Sequence, residues 1–474
     1  MASDDETKPW YNPARRVLEE LGLVSLYNST RDVKILCIQR FIRLFAYGSS
    51  TLVLVAFLRE LEISQTRIGL FMTLTLAGDI VISFLLALFA DGVGRRAVLA
   101  LGAALMTASG LVFATFSNYW ILLAAAILGV ISPGGNEIGP FRGVEESIIA
   151  HLTQPENRSD VYAWYSLVGT AGTAFGLLTC GWVTHHMRTD LHMDTVDVYR
   201  KVFYAYSIVG VVKFLCAVVL SSAVEIHDTP KPQEPASNAE SDEQTPLITD
   251  NNAQGTADQN RPKKQLRAKI SHESLPIVVC LCALFALDSF ASGLAPLSWI
   301  TYFFKSRYHL DEGKLGSIFF VTSIISAASM LVASSLAKRF GNVRTMVFTH
   351  LPSAIFLGLI PIPNEVHLSV MFLTLRACTQ SMDVAPRSAF LAAIVLPQER
   401  TVVIGLINVA KTTALSLGPL ITGLLADSNY FWVSFIMAGA LKASYDLGFL
   451  GLFKNHERVE ARRSHLDQEE GTQE

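Results

Sequence analysis

Apolar runs of about 20 residues, the length a helix needs to cross a bilayer, recur along this chain of 474 residues between short polar breaks. They predict spans at 33–58, 68–90, 96–117, 119–140, 160–184, 202–223, 275–303, 315–337, 344–363, 366–394, 401–426 and 430–453. Lipid offers no hydrogen-bond partner to open backbone, so these runs must be helices. The twelve spans fall into two sets of six, and the stretch from Glu225 to Ser274 separates them. That stretch is rich in Pro, Asn, Gln, Asp and Glu and ends in the basic run Arg261-Pro262-Lys263-Lys264 through Lys269. It has no apolar face to bury, as in a disordered linker. The expected organisation is an N-terminal tail (1–32), a six-helix bundle (33–223), the linker (224–274), a second six-helix bundle (275–453) and a C-terminal tail (454–474). The fold class is all-α, integral to the membrane, with two pseudo-symmetric bundles.

Lysine and arginine set the orientation. With both termini inside, the inner segments hold more than twice as many as the outer loops, and they still hold the majority once the long linker is set aside. Both tails and the linker are therefore expected in the cytoplasm. The polar N-terminus lacks a signal-peptide pattern, so the first apolar run is expected to act as an uncleaved anchor. The sequons at Asn28 and Asn157 then lie on the cytoplasmic side and should go unused.

The two halves look like copies. Leu88-Phe89-Ala90-Asp91-Gly92-Val93-Gly94-Arg95-Arg96 sits between spans 2 and 3, and Leu336-Ala337-Lys338-Arg339-Phe340-Gly341-Asn342-Val343-Arg344 between spans 8 and 9. Gly341 follows Gly94 by 247 positions. Glu137-Ile138-Gly139-Pro140-Phe141-Arg142 and Asp383-Val384-Ala385-Pro386-Arg387 match at an offset of 246, and Pro155-Glu156-Asn157-Arg158 and Pro397-Gln398-Glu399-Arg400 at 242. Repeats of this kind predict bundles related by an axis along the membrane normal, with a site between them near the midplane.

Composition agrees with the pattern: 51% of residues are hydrophobic and 17% charged, where a soluble domain has about 25% charged. The net charge of -3 gives no support to a nucleic-acid partner. All six cysteines (Cys37, Cys180, Cys216, Cys280, Cys282, Cys378) lie in apolar runs and read as buried, reduced thiols. No catalytic motif or metal-ligand spacing is present, so the chain reads as neither an enzyme nor a holder of metal or cofactor.

The loop between spans 2 and 3 resembles the signature of the major facilitator superfamily, Gly-x-x-x-Asp-Arg/Lys-x-Gly-Arg-Arg/Lys. Asp91, Gly94, Arg95 and Arg96 match it; Ala87 and Gly92 depart from it. The resemblance covers roughly 33–453 and implies transport by alternating access, with Asp91, Gly94, Arg95 and Arg96, echoed by Lys338 and Arg339, bracing a cytoplasmic gate. Span 5 has Gly169, Gly172, Gly176 and Gly181 but not the Gly-Pro of drug-proton antiporters, which stands in span 11 as Gly418-Pro419. The resemblance therefore extends to the superfamily and not to that subfamily.

Ionisable groups inside spans are costly and usually face the bundle interior or a wet cavity. Arg40, Arg43 and Tyr47 share one face of span 1; the arginines there meet an anionic substrate group, pair with acids across the cavity, or snorkel to the surface. Asp288 follows Arg43 by 245 positions and is a candidate partner for it across the bundles. Glu137 follows the helix-loosening run Ser132-Pro133-Gly134-Gly135-Asn136 and suits a proton or cation site. Glu145 and Glu146 read as a solvated helix end, with Arg142 and Glu145 spaced to pair. Asp383 and Arg387, at i and i+4, are spaced to pair locally, whereas Arg376 has no local acid and needs a distant partner or a substrate carboxylate. Lys411 either neutralises Asp383 or Glu137 or binds an anion. Asp79 and Lys213 are weaker candidates, and Lys442 and Asp446 are spaced as a self-neutralising pair.

The expected function is movement of a small organic solute, with an anion favoured by Arg43, Arg376 and Lys411 and proton coupling by Glu137, Asp288 and Asp383. Export of a metabolite or xenobiotic is one direction open to it. An uncoupled facilitator and a non-transporting sensor are the alternatives. The expected partners are the small-molecule substrate, protons and the lipid bilayer, with the chain acting as a monomer. Glu243-Gln244-Thr245-Pro246-Leu247-Ile248 fits an acidic dileucine signal, so the plasma membrane and a vacuolar or endosomal membrane are both candidate addresses.

Overall fold

The computed structural model describes residues 23–129, 131, 134, 140–154, 157–225, 274–395 and 399–470, and all of their regular structure is helical. Glu137 and nearly all of the linker, including the dileucine pattern, lie outside the described residues, as do the first 22 and last four residues.

Each expected span is a helix or a pair of helices. Arg31–Glu60, Gln65–Val93 and Arg95–Thr115 form spans 1 to 3; Arg158–Thr189 and Thr195–Val219 form spans 5 and 6. Glu312–Phe340, Asn342–Leu359, Arg400–Asp427 and Phe431–Glu470 form spans 8, 9, 11 and 12. Spans 4, 7 and 10 are broken, into Tyr119–Gly129 and Pro140–Leu152, Leu275–Leu294 and Leu297–Tyr308, and Val366–Thr379 and Val384–Ile394. Pro296 stands at the break in span 7, where a residue without an N–H and with a ring against the preceding turn cannot continue the ladder. Pro386 falls in the first turn of its helix, where the missing N–H has no partner to lose. The expected C-terminal tail continues the last helix to Glu470; the Glu and Arg residues that recur in it are good helix formers.

The repeat is visible in the backbone. Gly94 (φ 97°) and Gly341 (φ 86°) immediately precede spans 3 and 9. Both occupy the positive-φ region, which other residues enter only with strain. Packing repeats as well: span 1 lies on 5 and 3 on 6, as 7 lies on 11 and 9 on 12. Large apolar side chains such as Trp120, Ile208 and Phe348 are exposed, as a lipid-facing belt requires. Among the described residues, eight helical segments are long and apolar enough to cross a membrane by length and composition alone.

The halves meet through span 5 on span 8 and span 2 on span 11. Contact is backbone to backbone: a Cβ on Gly316 would stand 2.5 Å from the Leu177 carbonyl oxygen, and one on Gly69 2.5 Å from that of Pro419. The polar bonds joining the halves gather at the face opposite the termini. There Glu312 accepts from Arg188 (2.6 Å), Lys305 (2.8 Å) and the Tyr199 hydroxyl (2.8 Å), tying together the ends of spans 5, 6, 7 and 8. Thr66 donates to Asp427, and Trp182 to Ser317, at the same face.

Candidate functional site

Beneath that sealed face lies a cavity of about 540 Å³ lined from both halves. Its polar wall includes Thr170 and Thr173 from span 5, Thr322 and Ser326 from span 8, and Gln380 and Ser381 from the break in span 10. The hydroxyls of Ser326 and Ser381 are 2.6 Å apart, and the Gln380 amide donates to Ser326. The basic lining is Arg40, Arg142, His350, Arg376 and Lys442; among the described residues no aspartate or glutamate lines the cavity.

These bases are differently engaged. Arg142 is half-exposed and pairs with Glu146 at 2.6 Å. Arg40 covers the Tyr165 ring with its guanidinium 4.0 Å from the ring centre. Arg376, in the last turn before the break in span 10, keeps its buried Nε without a hydrogen-bond partner and has no ion pair among the described residues. The residue is half-buried, and its guanidinium, without a counter-charge among the described residues, fronts the cavity.

Behind the C-terminal wall lies a chain of charges. Asp288 in span 7 accepts from Lys442 Nζ at 2.6 Å through Oδ1 and faces Arg387 Nη1 at 3.5 Å through Oδ2. Arg387 also pairs with Asp383, one helical turn back. Lys442 donates in addition to Ser292 (2.8 Å). His350 Nδ1 stands 3.0 Å from both oxygens of Asp446, and its Nε2 is 3.8 Å from Asp288 Oδ1. Lys411 lies over the Phe285 ring at 5.8 Å, and no ion pair joins it to Asp383 among the described residues. The expected Lys442–Asp446 pair is absent because each side chain finds a partner on a neighbouring helix, Asp288 for one and His350 for the other.

The N-terminal half holds a comparable cluster, again a carboxylate held by two cations. Arg43 forks onto Glu145, Nη1 to Oε1 at 2.6 Å and Nη2 to Oε2 at 2.8 Å, and the Tyr165 hydroxyl donates to the same carboxylate. Lys213 Nζ lies 3.9 Å from Glu145 and 3.7 Å from the centre of the Phe141 ring. Arg43, Glu145 and Lys213 have no solvent exposure. Three sequence expectations are corrected here. Glu145 is not a solvated helix end, because the inward face of Pro140–Leu152 carries it into the bundle; and Arg142, on the outward face, takes Glu146 instead. Arg43 and Asp288 do not pair in this state, since each is satisfied within its own bundle. Tyr47 stacks on Tyr206 with ring centres 6.4 Å apart, in the core and away from the cavity lining.

The loop after span 2 is docked on its own bundle. The backbone N–H groups of Arg95 and Arg96 donate to the Glu225 carboxylate (2.8 and 3.0 Å), an acid at a helix N-terminus. The Arg95 guanidinium donates to Ser147, and Arg339 is exposed. The side chains of Asp91 and Lys338 lie outside the described residues. Sequence reasoning missed His350, since one histidine in an apolar run is ordinary; its position eight residues into span 9 was the signal available.

The family model for the Major Facilitator Superfamily matches residues 36–378 and 280–470. An uncharacterized membrane protein of Saccharomyces cerevisiae, YJR124C, is 38% identical over 426 residues, covering 88% of this chain and 93% of the relative. Among solved structures, a bacterial homologue of the iron transporter ferroportin in an inward-facing state superposes with a TM-score of 0.66 at 13% identity, covering 89% of this chain and 98% of that one. A bacterial homologue of the human lysosomal transporter Spinster, inward-facing and occupied, gives 0.65 at 14%, covering 88% and 95%. These structural likenesses show the fold alone.

Proposed function

The chain belongs to the major facilitator superfamily of membrane transporters, and we propose that it carries a small organic anion through the central cavity by alternating access, with proton coupling. Arg376 carries this reading: a half-buried arginine with its Nε enclosed and no counter-charge among the described residues, fronting a cavity whose described lining has bases and hydroxyls and no acid. A substrate carboxylate or phosphate supplies the missing partner, and a charge-assisted contact of that kind contributes about 1.5–3 kcal/mol. Asp288 supports proton coupling, because it is buried and yet joined through Lys442 and His350 to side chains of the cavity wall. Asp383, paired with Arg387 in the same network, is the second candidate carboxylate. The distribution of Lys and Arg supports cytoplasmic termini, and with that orientation the state described here opens inward, in the plasma membrane or a vacuolar or endosomal membrane.

Uptake into proteoliposomes of labelled lactate, benzoate and citrate, with mannitol and a quaternary amine as controls, tests the proposal. Saturable uptake of an anion, raised by an inward-acid gradient, supports it. Uptake of mannitol or the amine in preference to the anions overturns the anion assignment, and anion uptake that only equilibrates overturns the coupling.

A further inference from the structure

We infer that His350 is the proton acceptor of transport and that its protonation releases Lys442 from Asp288 to meet the substrate anion. The inference rests on the proton-coupled reading above and adds the group that takes the proton and the reason the proton favours the anion.

The geometry is a competition for one oxygen. Asp288 Oδ1 receives Lys442 Nζ at 2.6 Å, and His350 Nε2 lies 3.8 Å from that same atom. Asp288 Oδ2 already faces Arg387. On the other side of the imidazole, Nδ1 lies 3.0 Å from both oxygens of Asp446. With Nδ1–H donating to Asp446, neutral His350 leaves Nε2 as a lone pair aimed at a carboxylate, an arrangement completed by a proton. Histidine is the side chain whose charge ordinarily changes in the physiological pH range, and His350 is a lining residue of the cavity. The other groups that bear on the ring are Tyr445, edge-on to it at 5.9 Å, and, through Asp288, Arg387 and its partner Asp383. Lys411 stands beyond Phe285, over the same ring as Arg387.

A proton on Nε2 places a second cation beside Asp288 Oδ1. The imidazolium then bridges Asp446 and Asp288, and the hold of Asp288 on Lys442 weakens. Lys442 also lines the cavity and keeps Ser292 as its second acceptor. A released ammonium there adds a second cation to Arg376, so the protonated carrier binds an anion better than the unprotonated one. By linkage the anion also favours the proton. The proton enters from cavity water onto Nε2 and leaves from the same atom, so one proton accompanies the anion. An isolated static ion pair offers no such exchange of partners; the three-way arrangement does.

The test uses the full-length protein in proteoliposomes, with labelled lactate, benzoate and citrate at external pH between about 5.5 and 8. In the wild type, uptake rises with acidity, by up to about tenfold per pH unit where one proton is obligatory. His350→Asn keeps a donor toward Asp446 and removes the proton site; it should hold uptake at every pH near the low rate that the wild type shows at about pH 8. Retention of the acid response in His350→Asn overturns the inference and leaves the anion reading standing. A wild type that carries the anions without any acid response overturns both the inference and proton coupling, and one that carries none of them overturns the inference together with the anion reading on which it rests. Lys442→Met covers the case in which His350→Asn is poorly folded: it removes the cation that the proton releases, so uptake at acid pH should fall several-fold and the profile flatten. An unchanged profile in Lys442→Met contradicts the release of Lys442.

Discussion

Arg43 and Glu145 form a two-pronged ion pair with no solvent exposure on either side chain, between the first and fourth spans. Breaking a buried pair from one side strands the other charge, at a cost of about 3–5 kcal/mol. Glu145→Gln would strand two, since Lys213 stands 3.9 Å from the same carboxylate. The variant should lose most of its monodisperse yield in detergent, or melt well below the wild type in a fluorescence-based thermal scan. A melting temperature within a degree of the wild type would contradict a structural role for the pair.

Lys213 should behave in the opposite way. Its ammonium is fully buried and makes no hydrogen bond, and its close neighbours are the Phe141 ring and a carboxylate already occupied by Arg43. Replacing a poorly satisfied buried charge with an apolar group of similar shape is often neutral or stabilising. Lys213→Met is expected to match or exceed the wild-type melting temperature. A drop as large as that of Glu145→Gln would show that Lys213 is an equal partner in the ion pair.

Closure at the face opposite the termini depends on backbone approach. Gly181 and Gly316 bring spans 5 and 8 together next to the Glu312 hub. Gly316→Val forces its side chain into the Leu177 carbonyl, whereas each bundle alone has room to fold. Anion exchange should fall more than about tenfold, as expected when a required conformation is removed, with little change in purified yield. Glu312→Gln removes the charge that holds Arg188 and Lys305, and a cysteine placed at Ser317 should then react faster with a membrane-impermeant maleimide. Unchanged exchange in Gly316→Val, or unchanged labelling in Glu312→Gln, would contradict this view of the interface.

Much of the fold was legible because the apolar runs have the length the bilayer demands, and because Gly94 and Gly341 mark the same turn twice. The local pair Asp383–Arg387 follows from spacing alone. Spacing failed where a helix has several neighbours. Lys442 and Asp446 sit one turn apart, yet each turns to a different helix, because a buried charge takes the partner with the shortest desolvated approach. Glu145 and Glu146 are adjacent in sequence and opposite in fate: one faces the bundle interior and the other its surface. Nothing in a single sequence gives the rotation of a helix about its axis, and that rotation decides which acids are buried. The same gap hid His350, whose meaning comes from Asp288 and Asp446 on two other helices.

The most direct measurement is uptake of labelled lactate, benzoate and citrate by proteoliposomes of the wild type and Arg376→Gln under the same inward-acid gradient. Loss of one charged contact predicts a fall in apparent affinity of roughly 10- to 100-fold for the anion carried, with the melting temperature held or raised because Arg376 has no ion pair to lose among the described residues. Equal affinity in the two proteins would contradict the assignment of the cavity to an anion and of Arg376 to its recognition.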